Sequence, residues 1–168
     1  MLMPKRMPKV NHQANKTVFL PSESQSLALA QKLACQAKAG DIVALSGEVG
    51  VGKSVLARAF IRHWMEDDAL IVSSPTFNLV QIYEKHDISL WHCDCYRLSM
   101  MEEAFEFGLF DESKSRIILI EWPELMMTKL MQHPDSLLWL KLSILDEKAE
   151  GRSVEFAHIG ANWQDRVS

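Results

Sequence analysis

Residues 41–54 read DIVALSGEVGVGKS. The first six form a short apolar run, which predicts a buried strand. Three glycines then fall within six residues, at 47, 50 and 52, followed by Lys53 and Ser54. Glycine loses more backbone freedom on folding than any other residue, so such a cluster needs a use. Gly47, Gly52, Lys53 and Ser54 fit G-x-x-x-x-G-K-[ST] at every position. From Ser54 to about Met65 the pattern turns helical, with Leu56, Ala59 and Phe60 on one face. Strand, glycine loop and helix in that order make a phosphate cradle. Glycines let successive N–H groups curl around phosphate oxygens, and the helix N-terminus adds its partial positive charge. Nucleotide contacts are expected from Gly47, Glu48, Val49, Gly50, Val51, Gly52, Lys53, Ser54 and Val55. Lys53 would reach the β- and γ-phosphates, and Ser54 would offer its hydroxyl to Mg²⁺.

Working outward, TVFL (17–20) reads as a short strand ended by Pro21. Ser22 and Gln25 have capping-box spacing, and apolar residues recur helically from Leu27 to Ala37, with Gly40 placed for a stop. Residues 76–84 and 88–98 predict two strands around the polar turn KHD, and so an antiparallel hairpin. A short helix is expected at 101–107. RIILIEW (116–122) is near-continuously apolar, as a strand buried on both faces is. LLWLKLSIL (137–145) and RSVEFAHIG (152–160) give two more strands. The expected fold is α/β: a single P-loop NTPase-like domain over 17–168, its mixed β-sheet flanked by helices.

The first sixteen residues hold Lys5, Arg6, Lys9 and Lys16, no acid and no apolar core segment. They read as a flexible basic leader rather than a secretory signal. The chain carries 18 basic and 22 acidic residues; without the leader's four cations the body is near −8. Such a body is a poor unaided ligand for nucleic acid, whose affinity comes largely from neutralised phosphates. No apolar run is long enough to span a membrane. Three cysteines, an odd number without framework spacing, argue for a reducing, cytoplasmic setting.

Two acids are candidate magnesium ligands. Glu121 closes the run IILI and so stands at a strand's carboxyl end, where open α/β sheets bind ligands. Asp94 lies in HCDCYR, where a period of two puts His92, Asp94 and Tyr96 on one face and Cys93, Cys95 and Arg97 on the other. That alternation speaks against zinc shared between His92, Asp94 and the two thiols. His92 reads equally well as a core histidine. The guanine signatures N-K-x-D and D-x-x-G do not occur, which favours ATP.

The ordered set GEVGVGKS, SSPTFNLVQIY, HCDCYRL and ILIEWPE resembles the TsaE (YjeE) family, small P-loop ATPases of tRNA threonylcarbamoyladenosine synthesis. The resemblance spans roughly 17–160. It implies that ATP turnover supports a partner pair, TsaD and TsaB, which modifies an adenosine beside the anticodon, so that tRNA is met only indirectly. It implies that Asp94 and Glu121 form the acidic pair of the magnesium site with Ser54. It puts Thr76 on a switch-like loop near the γ-phosphate, though Thr76 also reads as a strand-start residue after Pro75. Trp122 would sit beside the site; packing alone is an equal reading. Arg97 is read as a structural ion-pair partner more readily than as a transition-state contact. The family often has Asp at 48 and Thr at 54, where this chain has Glu48 and Ser54; serine keeps the hydroxyl.

The leading reading is a Mg²⁺-dependent ATPase, slow alone, that cycles with protein partners. A small-molecule kinase would need an arginine-rich lid, and between residues 98 and 135 the chain offers only Arg116. A non-catalytic nucleotide sensor would lack a water-orienting acid, against which Glu121 speaks.

Overall fold

The computed structural model describes residues 16–75, 78–96, 108–110, 115–145 and 151–167. Its seven strands form one sheet: β1 (Thr17–Leu20), β2 (Ile42–Ser46), β3 (Val80–Lys85), β4 (Ile88–Asp94), β5 (Arg116–Glu121), β6 (Leu137–Ile144) and β7 (Arg152–Ile159). The order across the sheet is β1-β7-β6-β2-β5-β4-β3. The four central strands, β6, β2, β5 and β4, run parallel. Their carboxyl ends therefore open on one side, just where β2 hands the chain to the glycine loop. Antiparallel β3 closes one edge, while β7 and β1 close the other.

Period-two alternation divides the core between the two faces. On one side α1 (Glu23–Gln36) and α2 (Lys53–Met65) pack through Leu33, Leu56 and Phe60 onto Val43, Leu45, Leu119 and Leu140. On the other, Ile42, Ala44, Ile118, Ile120 and Trp139 meet Met126 and Leu130. Those two come from a 3-10 turn (Pro123–Met126) and the helical turn that continues it (Met127–Leu130). Every residue of β2 and β5 is buried, as their continuous apolar runs predict.

Three expectations need adjusting. Ser22 does start α1, but its hydroxyl bonds Ser24 Oγ at 2.7 Å and caps no helix N–H, so the capping box does not form. The helix ends at Gln36, ahead of Gly40. Gly40 instead serves the turn into β2, at φ +94° with its N–H donated to the Arg116 carbonyl. The hairpin strands are shorter than read. β3 begins at Val80, after Leu79 at φ +61°, and β4 ends at Asp94. Thr76, Arg97, the helix expected at 101–107 and residues 1–15 of the leader lie outside the described residues.

Candidate phosphate-binding site

The loop between β2 and α2 is shaped by its glycines. Gly47 has φ +135°, and a Cβ there would stand 2.4 Å from the carbonyl oxygen of Leu142 in β6. Only glycine lets the loop leave β2 so close to the neighbouring strand. Gly52, at φ +110°, is the N-cap of α2, so the first free N–H groups of that helix face the loop. Val51 is buried and pins the loop to the core, whereas Val49 is 71% exposed at its rim. Arg152, at the start of β7, donates Nε–H to the Val51 carbonyl at 2.9 Å.

Lys53 folds back over this loop. Its ammonium donates to the carbonyls of Gly47 (2.7 Å) and Glu48 (2.8 Å) and lies 3.6 Å from the centre of the Trp122 ring. Burial lowers its pKa, against the opposing pull of Glu121, Glu124 and Asp94. Trp122 reaches this position because the chain leaves β5 at φ +58°, and Tyr96 packs against it with ring centres 4.9 Å apart. Glu124 belongs to the same cluster. Its surface is largely open, yet partial burial of the carboxyl raises its pKa, with Lys53 and the Gly47 N–H acting in the opposite sense.

Glu121 stands at a strand's carboxyl end, as read from the sequence, whereas Asp94, read inside a longer strand, is the last residue of β4. Parallel pairing sets Asp94 opposite Glu121 at the carboxyl ends of β4 and β5. Ser54, in the first turn of α2, donates its hydroxyl to Glu121 Oε2 at 2.6 Å. His92 Nε2 lies 2.8 Å from Glu121 Oε1. Asp94 accepts the Ser74 hydroxyl at 3.1 Å and the Tyr96 N–H at 3.0 Å. Cys93 and Cys95 project to the other face among apolar residues, as the alternation predicts. Burial raises both thiols, Cys95 to about 12.

The donor set near the loop is a hydroxyl and two carboxylates, hard oxygens of the kind Mg²⁺ prefers. Among the described residues no three His, Cys, Asp or Glu side chains gather into a cage. Sequence reasoning did not select Ser74, Glu124 or Arg152. Ser74 stands inside the quoted SSPTF stretch and was within reach. Arg152 comes from the far strand β7, and no local spacing announces it.

A family model described as threonylcarbamoyl adenosine biosynthesis protein TsaE matches residues 20–154. The tRNA threonylcarbamoyladenosine biosynthesis protein TsaE of Rickettsia bellii is 36% identical over 133 residues, covering 79% of this chain and 90% of its own. The Bacillus subtilis protein of the same description is 29% identical over 147 residues, covering 86% of this chain and 85% of its own. The crystal structure of Bacillus subtilis YdiB superposes with a TM-score of 0.69 at 21% identity, over 92% of this chain and 94% of that one, a likeness of fold. With a family model matching 20–154 and a relative 36% identical over most of both chains, the chain belongs to the TsaE family of tRNA threonylcarbamoyladenosine biosynthesis proteins.

Proposed function

We propose that this chain binds ATP with Mg²⁺ and hydrolyses it to ADP and phosphate, in support of the TsaD–TsaB pair in tRNA threonylcarbamoyladenosine synthesis. The observation that carries the reading is the 2.6 Å bond from Ser54 to Glu121. It joins the phosphate loop to an acid that is only 1% exposed at a strand's carboxyl end. A buried carboxylate is costly unless it is used.

The loop N–H groups and the start of α2 would bind the β- and γ-phosphates. Lys53 would trade its loop carbonyls for phosphate oxygens. Ser54, Asp94 and Glu121 would hold Mg²⁺, which supplies charge neutralisation and orientation when bound. Glu121 would order the attacking water. One structural feature favours this reading over a kinase. The one arginine between 98 and 135, Arg116, stands at the amino end of β5. There it stacks on Trp91 and donates to the Gly108 carbonyl, away from the carboxyl-end face. The acidic body favours contact with tRNA through partner proteins.

Calorimetry and product analysis on wild type and Lys53→Ala test the reading. Wild type should bind ATP and release ADP and phosphate, and the variant should lose productive binding while remaining folded. A phosphorylated acceptor would favour the kinase, unchanged ATP the sensor, and equal affinity and turnover in Lys53→Ala would sink the phosphate cradle.

A further inference from the structure

His92 is 1% exposed in β4, in register with Leu119 of β5 and two residues from Leu90 on the same face. Its Nε2 meets Glu121 Oε1 at 2.8 Å, while Gln81 of β3 is its register partner on the other side. The other ring nitrogen, Nδ1, is buried and has no hydrogen-bond partner among the described residues. That asymmetry assigns the tautomer. A proton on Nδ1 would be a buried donor with no acceptor and would turn a lone pair of Nε2 toward the Glu121 carboxylate. A proton on Nε2 makes the bond and leaves only an acceptor unmatched, the milder of the two defects. The ring thus gives up one hydrogen bond to make one, and that one goes to Glu121.

The Glu121 carboxylate is then held at both oxygens, Oε1 by His92 and Oε2 by Ser54. Ser54 is itself the loop's candidate metal ligand, and its hydroxyl must adjust when the site fills. His92 lies behind Glu121 in the sheet and has no such second task. We infer that His92 is a positioning residue, whose Nε2–H fixes the Glu121 carboxylate toward Ser54 and the γ-phosphate side of the loop. The inference rests on the ATPase reading above. Loss of such an outer contact commonly lowers activity or metal affinity about 10- to 100-fold. Phosphate binding depends instead on the loop and Lys53, so the loss should fall on kcat and on the Mg²⁺ requirement, with KM for ATP little changed.

The full-length chain is assayed as wild type, His92→Leu and His92→Gln, with Mg²⁺ titrated at saturating ATP. His92→Leu, an apolar replacement at a buried strand position, should fold, lose at least about tenfold in kcat, and need more Mg²⁺. His92→Gln, which can present an N–H near the position of Nε2, should recover most of the loss. A second readout needs no turnover: ¹⁵N NMR of the ring should show Nε2 protonated and Nδ1 bare in wild type, with the Nε2–H signal moved in Glu121→Ala. Wild-type kcat in His92→Leu, a raised KM at unchanged kcat, or glutamine no better than leucine in folded, ATP-binding protein overturns the inference. So does a ring protonated at Nδ1. Failure of wild type to hydrolyse ATP would instead sink the ATPase reading, and the rate effect with it.

Discussion

Alanine at Gly47 perturbs the phosphate loop where it lies tightest against the sheet. Its Cβ would stand 2.4 Å from the Leu142 carbonyl oxygen and 3.1 Å from a Val51 methyl, at a backbone φ of +135°. Leu142 is a strand residue paired with Val154 of β7, so its carbonyl has little room to give. The loop must move instead, by at least about 0.6 Å to open the contact to 3.0 Å. Holding a non-glycine residue in this region adds roughly 1–3 kcal/mol, equivalent to about five- to 150-fold in an equilibrium. Domain stabilities are of order 5–15 kcal/mol, so the variant should still fold. Its loop N–H groups would no longer point where short, charge-assisted bonds to phosphate require. ATP affinity is therefore expected to fall at least about tenfold, or 1.4 kcal/mol. Gly50→Ala is the control. Gly50 also has positive φ, at +78°, but a Cβ there meets nothing within 4 Å. It carries the backbone cost of roughly 1–2 kcal/mol without the collision, and should weaken ATP less than Gly47→Ala does. Calorimetry with ATP, alongside thermal melting to establish folding, reads both variants. Equal or greater loss in folded Gly50→Ala would refute the argument that close approach to β6 shapes the loop.

Because burial holds the Lys53 pKa down and phosphate favours the charged amine, the complex should have the higher pKa of the two states. ATP affinity should stay level below the free-protein pKa and fall as pH rises through it, with proton uptake on binding in that window; proton release there would contradict the assignment. Asp94→Asn should keep its bonds to Ser74 and the Tyr96 N–H, since the serine hydroxyl can also accept. It should melt near wild type yet need more Mg²⁺, and an unchanged requirement would place the metal elsewhere. Of the three thiols only Cys35 is exposed, so a thiol reagent at pH 8 should label one site in the native protein and three after denaturation. The isolated chain should turn ATP over slowly, and the purified TsaD–TsaB pair should change that rate. Arg152, which touches the loop, is bonded to the Val51 carbonyl; fast turnover indifferent to the partners would favour an independent enzyme.

What the sequence makes legible is local chemistry and alternation. The glycine spacing, the apolar run before it and the helical run after it state the strand–loop–helix unit without any long-range knowledge. Period two puts His92 and Asp94 on one face and the two thiols on the other, and the structure keeps that division. Strand ends are harder to read, because the turns at them are set by residues at positive φ that are not glycine. Leu79 and Trp122 carry no signal of this kind in their side chains, and the surrounding packing imposes the conformation. The Ser22 cap failed for a related reason: its hydroxyl had a nearer partner in Ser24. The contacts of His92 and Arg152 were not legible at all. They depend on which strands become neighbours, and β5 lies beside both β2 and β4 only once the whole sheet has formed.

That long-range assembly explains why the loop can be shaped before any nucleotide arrives. Lys53 has three donors, and two are taken by the Gly47 and Glu48 carbonyls while the indole of Trp122 lies against the ammonium. Arg152 ties the Val51 carbonyl to β7, and Gly47 seats the loop against β6. The loop is thus held from its own lysine, from β5 through Trp122, and from both strands beyond β2. Binding a triphosphate on the proposed reading asks mainly that one side chain exchange carbonyl oxygens for phosphate oxygens. The loop's N–H groups need little reorganisation, which is the condition under which fixed dipoles act most strongly on charge. The acids play the complementary part. Asp94, Glu121 and Glu124 keep Lys53 from losing as much of its basicity as burial alone would dictate. On the proposed reading the same negative charge would repel a bare triphosphate, and so would make the cation that accompanies it part of what the site recognises.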